Sequence, residues 1–200
     1  MTDAHLGHAL PLPVPSAEME ARLAQRRSAP AQALAAPGPT RDQIARILEL
    51  GGRTPDHGKL FPWRFVVLGP ESRAALATAL TPLAQAQPQP DKARAVLGKL
   101  TAAPVTILVV SAPVPSQKVP VWEQQLSAGA VCMNVEHAAG VLGFSTSWIT
   151  DWYSYDPDAL RMLGLTEGEQ VAGFIHIGTL AEPPLERPRP DLSTKVEYRD

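Results

Sequence analysis

Apolar positions recur along the chain with two periods, and the switches between them mark the elements. From Thr40 to Leu50 the residues Ile44, Ile47 and Leu48 fall on one helical face. Thr40 with Gln43 forms a capping box there, and Gly51-Gly52 ends the turn. An earlier helix is predicted from Ser16 to Gln25, with Ser16 as cap and Glu18 and Glu20 near the positive end of the dipole. Trp63 to Leu68 predicts a strand, Pro70 to Leu80 a helix, and Asp91 to Leu100 another, with a proline-rich, mobile stretch between the two. Val105 to Val110 is an apolar, β-branched run suited to a central strand. Glu123 to Leu142 is helical and apolar on nearly every side, which places it in a core or a subunit interface. Phe144 to Thr150 and Gln170 to Ile177 predict strands on either side of a short helix, Asp156 to Leu163. From Thr179 to Asp200 the chain is extended and proline-laced. It closes on Ser193 to Tyr198, where Thr194, Val196 and Tyr198 alternate as in a short edge strand.

Strands separated by helices predict an α/β or α+β sandwich around one sheet. With 200 residues and a hydrophobic fraction of 44%, the chain can bury one sizeable core. Residues 1–15 are expected to form a flexible leader and residues 16–200 one domain with an extended C-terminal tail. The formal net charge of -2 supplies no basic excess to hold nucleic acid or an anionic membrane. Apolar runs such as Pro104 to Val110 are too short to span a bilayer, and no secretory signal is expected at the start. Cys132 is the single cysteine, so no intrachain disulfide can form, and a cytoplasmic location is expected. The thiol lies inside the apolar helix and reads as a buried structural residue.

Several chemistries lack their residues. Neither a G-x-G-x-x-G nor a G-x-x-x-x-G-K-[ST] loop occurs, and there is no H-E-x-x-H. His5, His8, His57, His137 and His176 do not show metal-ligand spacing. The stretch around Ser145 is not a nucleophile elbow.

Three segments, in order, carry a likeness. They are Arg26-Arg27-Ser28 at the end of the first helix; Arg53-Thr54-Pro55-Asp56-His57 followed by Pro62-Trp63-Arg64-Phe65; and Lys118-Val119-Pro120-Val121-Trp122-Glu123-Gln124-Gln125-Leu126-Ser127-Ala128-Gly129. The pattern continues through Gly143-Phe144 and Trp148-Ile149-Thr150 to Gly173-Phe174-Ile175-His176-Ile177-Gly178-Thr179. Together they resemble the nitroreductase family, in particular its short bacterial single-domain members, over most of Ala21 to Thr179.

The resemblance implies an α+β fold: a three-layer α/β/α sandwich around a mainly antiparallel sheet, assembled as a homodimer with FMN at sites in the subunit interface. It implies an oxidoreductase that takes hydride from NADH or NADPH onto flavin N5. A nitroaromatic, quinone or similar flat acceptor would then be reduced in the same place, a ping-pong course. Other flavin reactions on the same scaffold stay open: enoate reduction, dehalogenation, flavin breakdown, or flavin binding without catalysis.

By the same likeness Arg26, Arg27 and Ser28 are phosphate ligands. A phosphate dianion calls for forked cationic donors and a hydroxyl, and these three supply them within one turn. A solvated Arg pair at a helix C-terminus is the plain alternative. Arg53 and His57 would reach the pyrimidine edge of the partner's flavin, where a cation or donor stabilises negative charge; otherwise they belong to a polar turn. Trp148, Ile149 and Thr150 would line the ring, or form an ordinary core strand. Arg187 or Arg189 would be a further phosphate contact on a tail that crosses the partner. Trp122 and Glu123 match the substrate side, although a first-turn acid explains Glu123 equally well.

Overall fold

The computed structural model describes residues 7–199. The start of the expected leader, residues 1–6 with His5, lies outside the described residues, as does Asp200; residues 7–15 are exposed and outside any helix or strand. Four strands form one antiparallel sheet: β1 (Trp63–Leu68), β2 (Val105–Ser111), β3 (Ser145–Ile149) and β4 (Gln170–Gly178), in the spatial order β1-β2-β4-β3. Phe65 stands opposite Val109, Ile107 opposite Ile175, and Trp148 opposite Ile175.

Helices cover both faces. β2 is buried at every position, the mark of a strand covered on both sides. Its side chains alternate between two cores. Leu108 and Val110, with Phe174, pack against Leu76, Leu80, Leu100, Tyr153 and Leu163. These come from α3 (Pro70–Gln85), α5 (Gly98–Ala102) and the segments around α7 (Pro157–Met162), with α4 (Pro90–Val96) adding Ala93. Ile107 and Val109, with Ile175 and Ile177, pack instead against Ile47 of α2 (Arg41–Gly51) and against Val131, Val135 and Ala139 of α6 (Val121–Val141). The result is the expected three-layer α/β/α sandwich. No helix among the described residues is long and apolar enough to cross a membrane.

Local signals place the helix starts. Ser16 Oγ accepts from Met19 N at 3.2 Å ahead of α1 (Ala17–Gln25). Thr40 and Gln43 complete the capping box, with Gln43 N donating to Thr40 Oγ1 at 3.3 Å and Thr40 N to Gln43 Oε1 at 2.9 Å. Elsewhere tertiary packing overrides the local reading. α3 does not stop at Leu80 but runs through Pro82 to Gln85, because Leu80 and Ala84 are both fully buried in the core on this side. The expected mobile stretch is therefore only the short turn before α4, and Gln87 Nε2 holds it by donating to Asp156 Oδ2 at 3.0 Å. The helix expected from Asp91 to Leu100 is two, meeting at Leu97, so that Leu97 and Leu100 are both buried. The expected final strand is absent as well. Asp191 Oδ1 accepts from Ser193 N at 2.9 Å and winds Leu192–Thr194 into a 3-10 turn, a local bond that competes with extended pairing.

Candidate functional site

The end of α1, the C-terminal half of α6 and the start of β3 enclose a cavity of about 500 Å³. Arg22, Arg26, Arg27, Glu136, Ser145 and Thr146 line it. Ala29 N donates to Thr146 O at 2.8 Å and so docks the segment after α1 on β3. Arg26 Nη1 donates to Ser28 Oγ at 3.3 Å and stands 3.9 Å from Glu136 Oε2. Glu136 is buried and accepts from Thr146 Oγ1 at 2.9 Å. Burial pushes its carboxyl pKa up, while the Thr146 bond and the Arg26 charge oppose the rise. Arg22 lies flat on α6 at Gly140, where any Cβ would overlap its guanidinium. Its buried Nε has no hydrogen-bond partner among the described residues. The Arg22 and Arg26 charges, after burial itself, hold His137 below its ordinary pKa.

The tail returns to this place on its own chain. Arg27 Nε donates to Leu185 O at 2.9 Å, and Arg189 Nη2 donates to Arg26 O at 3.1 Å. Glu186 lies between the two, 2.9 Å from Arg189 and 3.9 Å from Arg27. Arg187 is exposed. Three guanidinium groups, one carrying an orphaned buried donor, thus face one cavity. Glu136 offsets part of their charge and is itself satisfied by Thr146 and Arg26. That donor set fits a phosphate dianion, which accepts forked, charge-assisted bonds.

The second group of expected residues gathers at the other end of α6. Thr54 Oγ1 donates to Gly51 O at 2.8 Å and accepts from Asn134 Nδ2 at 2.8 Å, while Ser127 Oγ donates to Pro55 O at 2.8 Å. These bonds tie the loop after α2 to α6. His57 reaches Glu123 in the first turn of α6, and Arg53 is exposed beside Thr54. Trp122 is 66% exposed. Thirteen residues separate Glu123 from Glu136, so roughly 20 Å of helix lies between this group and the arginines.

β3 runs alongside. Trp148 lies over Gly173, where a Cβ would overlap its indole, and Trp148 Nε1 donates to Ala172 O at 3.1 Å. Ile149 stands opposite Phe174 on β4, and Thr150 Oγ1 accepts from Tyr155 OH at 3.0 Å. Arg64, part of the second segment, is structural: it grips Glu169 with two bonds of 2.7 and 2.8 Å, which holds that carboxyl near a pKa of about 2. Cys132 is fully buried, and burial first, with Glu136 second, pushes its thiol up to about 12.

Sequence reasoning singled out Arg26, Arg27 and Ser28 but not Arg22, Glu136 and Thr146, which line the same cavity as the two arginines. One signal was present: Glu136 is a lone acid on the sheet-facing side of an otherwise apolar helix, and a buried carboxylate needs a partner.

The model of the nitroreductase family matches residues 23–179 of this chain. The protein is 36% identical over 161 residues to "Putative NAD(P)H nitroreductase YdjA" of Escherichia coli (strain K12), covering 78% of this chain and 85% of that one. Among solved structures, a nitroreductase-like family protein from Bacillus cereus superposes with a TM-score of 0.81 at 21% identity, covering 94% of this chain and 100% of that one. A nitroreductase with bound FMN from Bacteroides fragilis superposes with a TM-score of 0.70 at 20% identity, covering 93% and 100%.

Proposed function

Since this chain belongs to the nitroreductase family, we propose that it is an FMN-dependent oxidoreductase. It would carry hydride from NADH or NADPH to flat electron acceptors, nitroaromatics or quinones, in two half-reactions at one place. The observation that carries this reading is the convergence of Arg22, Arg26 and Arg27 on one cavity beside β3. Bound FMN supplies the hydride chemistry at N5, so no protein nucleophile is required.

The chain's own residues have four tasks. Arg26, Arg27 and Ser28 hold the phosphate, with Arg189 or Arg187 from the tail as a further cation. Trp148, Ile149 and Thr150 line the ring, since β3 leads from the cavity at Thr146 to Thr150, about 13 Å away at four strand steps. Arg53 supplies a cation and His57 a hydrogen-bonding ring at the pyrimidine edge. Trp122 and Glu123 border the acceptor. The roughly 20 Å of α6 between the arginines and His57 favours a homodimer in which a second copy brings its loop to the cofactor. An apolar stripe on the outer side of α6, with Trp122, Leu126 and Val141 at 66%, 54% and 65% exposure, gives that copy a surface to cover.

The test is the purified protein itself. It should be yellow, release FMN, and oxidise NAD(P)H with a quinone or nitroaromatic. Replacing Arg26 and Arg27 with Ala should weaken FMN binding by several kcal/mol, because each charge-assisted contact is worth about 1.5–3 kcal/mol. Full FMN occupancy in the double variant removes the phosphate assignment. A stable, flavin-loaded monomer in solution removes the homodimer.

A further inference from the structure

The His57–Glu123 pair has a geometry that cofactor binding alone does not require. His57 Nδ1 lies 2.7 Å from Glu123 Oε2, and Nε2 makes no hydrogen bond among the described residues. The loop is built to hold the ring in that place. Before His57, the bonds from Ser127 and Asn134 fasten Pro55 and Thr54 to α6. After it, the backbone passes through positive φ at Gly58, Lys59 and Phe61, with values of 85°, 56° and 49°. Lys59 and Phe61 are not glycines, so this path costs backbone strain. Asp56 Oδ2 accepts from Phe61 N at 2.8 Å and closes the turn. A carboxylate on Nδ1 selects the Nδ1–H tautomer and leaves Nε2 as the atom that takes and gives a proton. Trp122 and Phe61, 66% and 64% exposed, add flat apolar surfaces on the same two segments.

We propose that His57 is the proton donor to the acceptor during its reduction, and that Glu123 is the positioning residue that orients the imidazole. This rests on the oxidoreductase reading above. A quinone that receives a hydride equivalent gains two electrons and one hydrogen, and its second oxygen still needs a proton. The balance is quinone plus NAD(P)H plus H⁺ giving hydroquinone plus NAD(P)⁺. His57 supplies that H⁺ as the imidazolium: its Nε2–H bond breaks, an O–H bond forms on the acceptor, the ring is left as the Nδ1–H imidazole facing Glu123, and Nε2 then takes up the H⁺ of the balance from solvent.

The experiment compares a quinone, which needs the proton, with ferricyanide, which takes electrons only. Flavin-loaded native protein, His57→Gln and Glu123→Gln are assayed with both, normalised to FMN content. The quinone-to-ferricyanide rate ratio should fall about tenfold or more in His57→Gln, in line with the lower end of general acid effects, and less in Glu123→Gln. Separately from turnover, ¹⁵N shifts of His57 at alkaline pH should report the Nδ1–H tautomer in the native protein and a mixture in Glu123→Ala. An unchanged ratio in flavin-loaded His57→Gln, or mixed tautomers in the native protein, overturns this role alone. A native protein that takes up no FMN overturns the proposed function, and this role with it.

Discussion

The two faces of the sheet are covered in different ways. One lies under four helices of its own chain, α3, α4, α5 and α7, and its centre is closed: Leu108, Val110 and Phe174 are fully buried against Leu80, Leu100 and Tyr153, while a cleft of about 540 Å³ opens toward the β1 edge beside Val66, Ala79 and Met162. Even its cation is used internally. Arg73, 1% exposed, donates to Leu100 O and Pro104 O at 2.8 Å each, and burial without a carboxylate partner lowers its pKa. The other face lies under α2 and α6, and there the cover is incomplete. α6 buries Val131, Val135 and Ala139 against the sheet while leaving Trp122, Leu126 and Val141 outside. The candidate residues gather along α6 and β3. A face closed by its own chain serves stability; a face whose covering helix is still apolar on the outside has surface left for a ligand or a second copy.

Core truncation should separate the faces most strongly. Phe174→Ala on the closed face removes a fully buried ring that Tyr153 meets edge-on at 5.2 Å. It should cost about 3–5 kcal/mol, read as a fall in the urea midpoint. Leu126→Ala on the outer side of α6 should leave the unfolding of the separated chain within about 0.5 kcal/mol, while raising the dissociation constant of the proposed dimer in ultracentrifugation. Equal losses at both positions would erase the contrast.

Acid should act through the closed face in one direction and through the open face in the other. His176 is fully buried. Its Nδ1 is 2.7 Å from Thr106 Oγ1 and its Nε2 has no partner among the described residues. Burial first, then the Arg73 and Lys99 charges, lowers its pKa from 6.5 to about 4. The unfolded chain therefore takes the proton first. The stability held by neutral His176 is complete above pH 6.5 and is lost as the pH falls toward 4, a total of roughly 3 kcal/mol at 1.36 kcal/mol per pKa unit. Chemical unfolding at pH 7 and pH 4.5 should show the loss in the native chain and a flatter profile in His176→Gln. Glu136 on the open face has a raised pKa, so there the folded chain binds the proton more readily, and acidification through that raised value favours folding.

Smaller effects sharpen the same contrast. Gly173→Ala drives a methyl into Trp148 at the junction of β4 and β3, and should cost about 1–3 kcal/mol through overpacking. Near-UV circular dichroism should show the indole displaced, and a spectrum like the native one would mean that Trp148 moves freely. Glu136→Gln keeps an acceptor for Thr146 and removes the desolvated charge. It should raise the unfolding midpoint slightly at neutral pH and abolish the acid-side gain. A lower midpoint at neutral pH would show that the attraction to Arg26 outweighs desolvation.

Much of this was legible in advance because it is local. A capping box needs only Thr40 and Gln43, and a strand covered on both faces needs only an unbroken β-branched run such as Val105 to Val110. Periodicity placed every strand of the sheet to within a residue or two, and the ordered segments from Arg26 to Thr179 carried the family likeness. The misses occur where neighbours outvoted local preference. Pro82 sits inside α3 because Leu80 and Ala84 on either side are buried, and the tail forms a turn because Asp191 offers its oxygen to Ser193.

Tertiary structure alone decided the strand order β1-β2-β4-β3 and the meeting of distant residues. Arg189 bonds the carbonyl of Arg26 across 163 positions, and His57 finds Glu123 across 66. No pattern in the chain encodes such pairings. Closing long loops costs entropy that a surface ion pair cannot supply, so the two hydrophobic cores bring the segments together and the polar groups take the partners that packing leaves within reach.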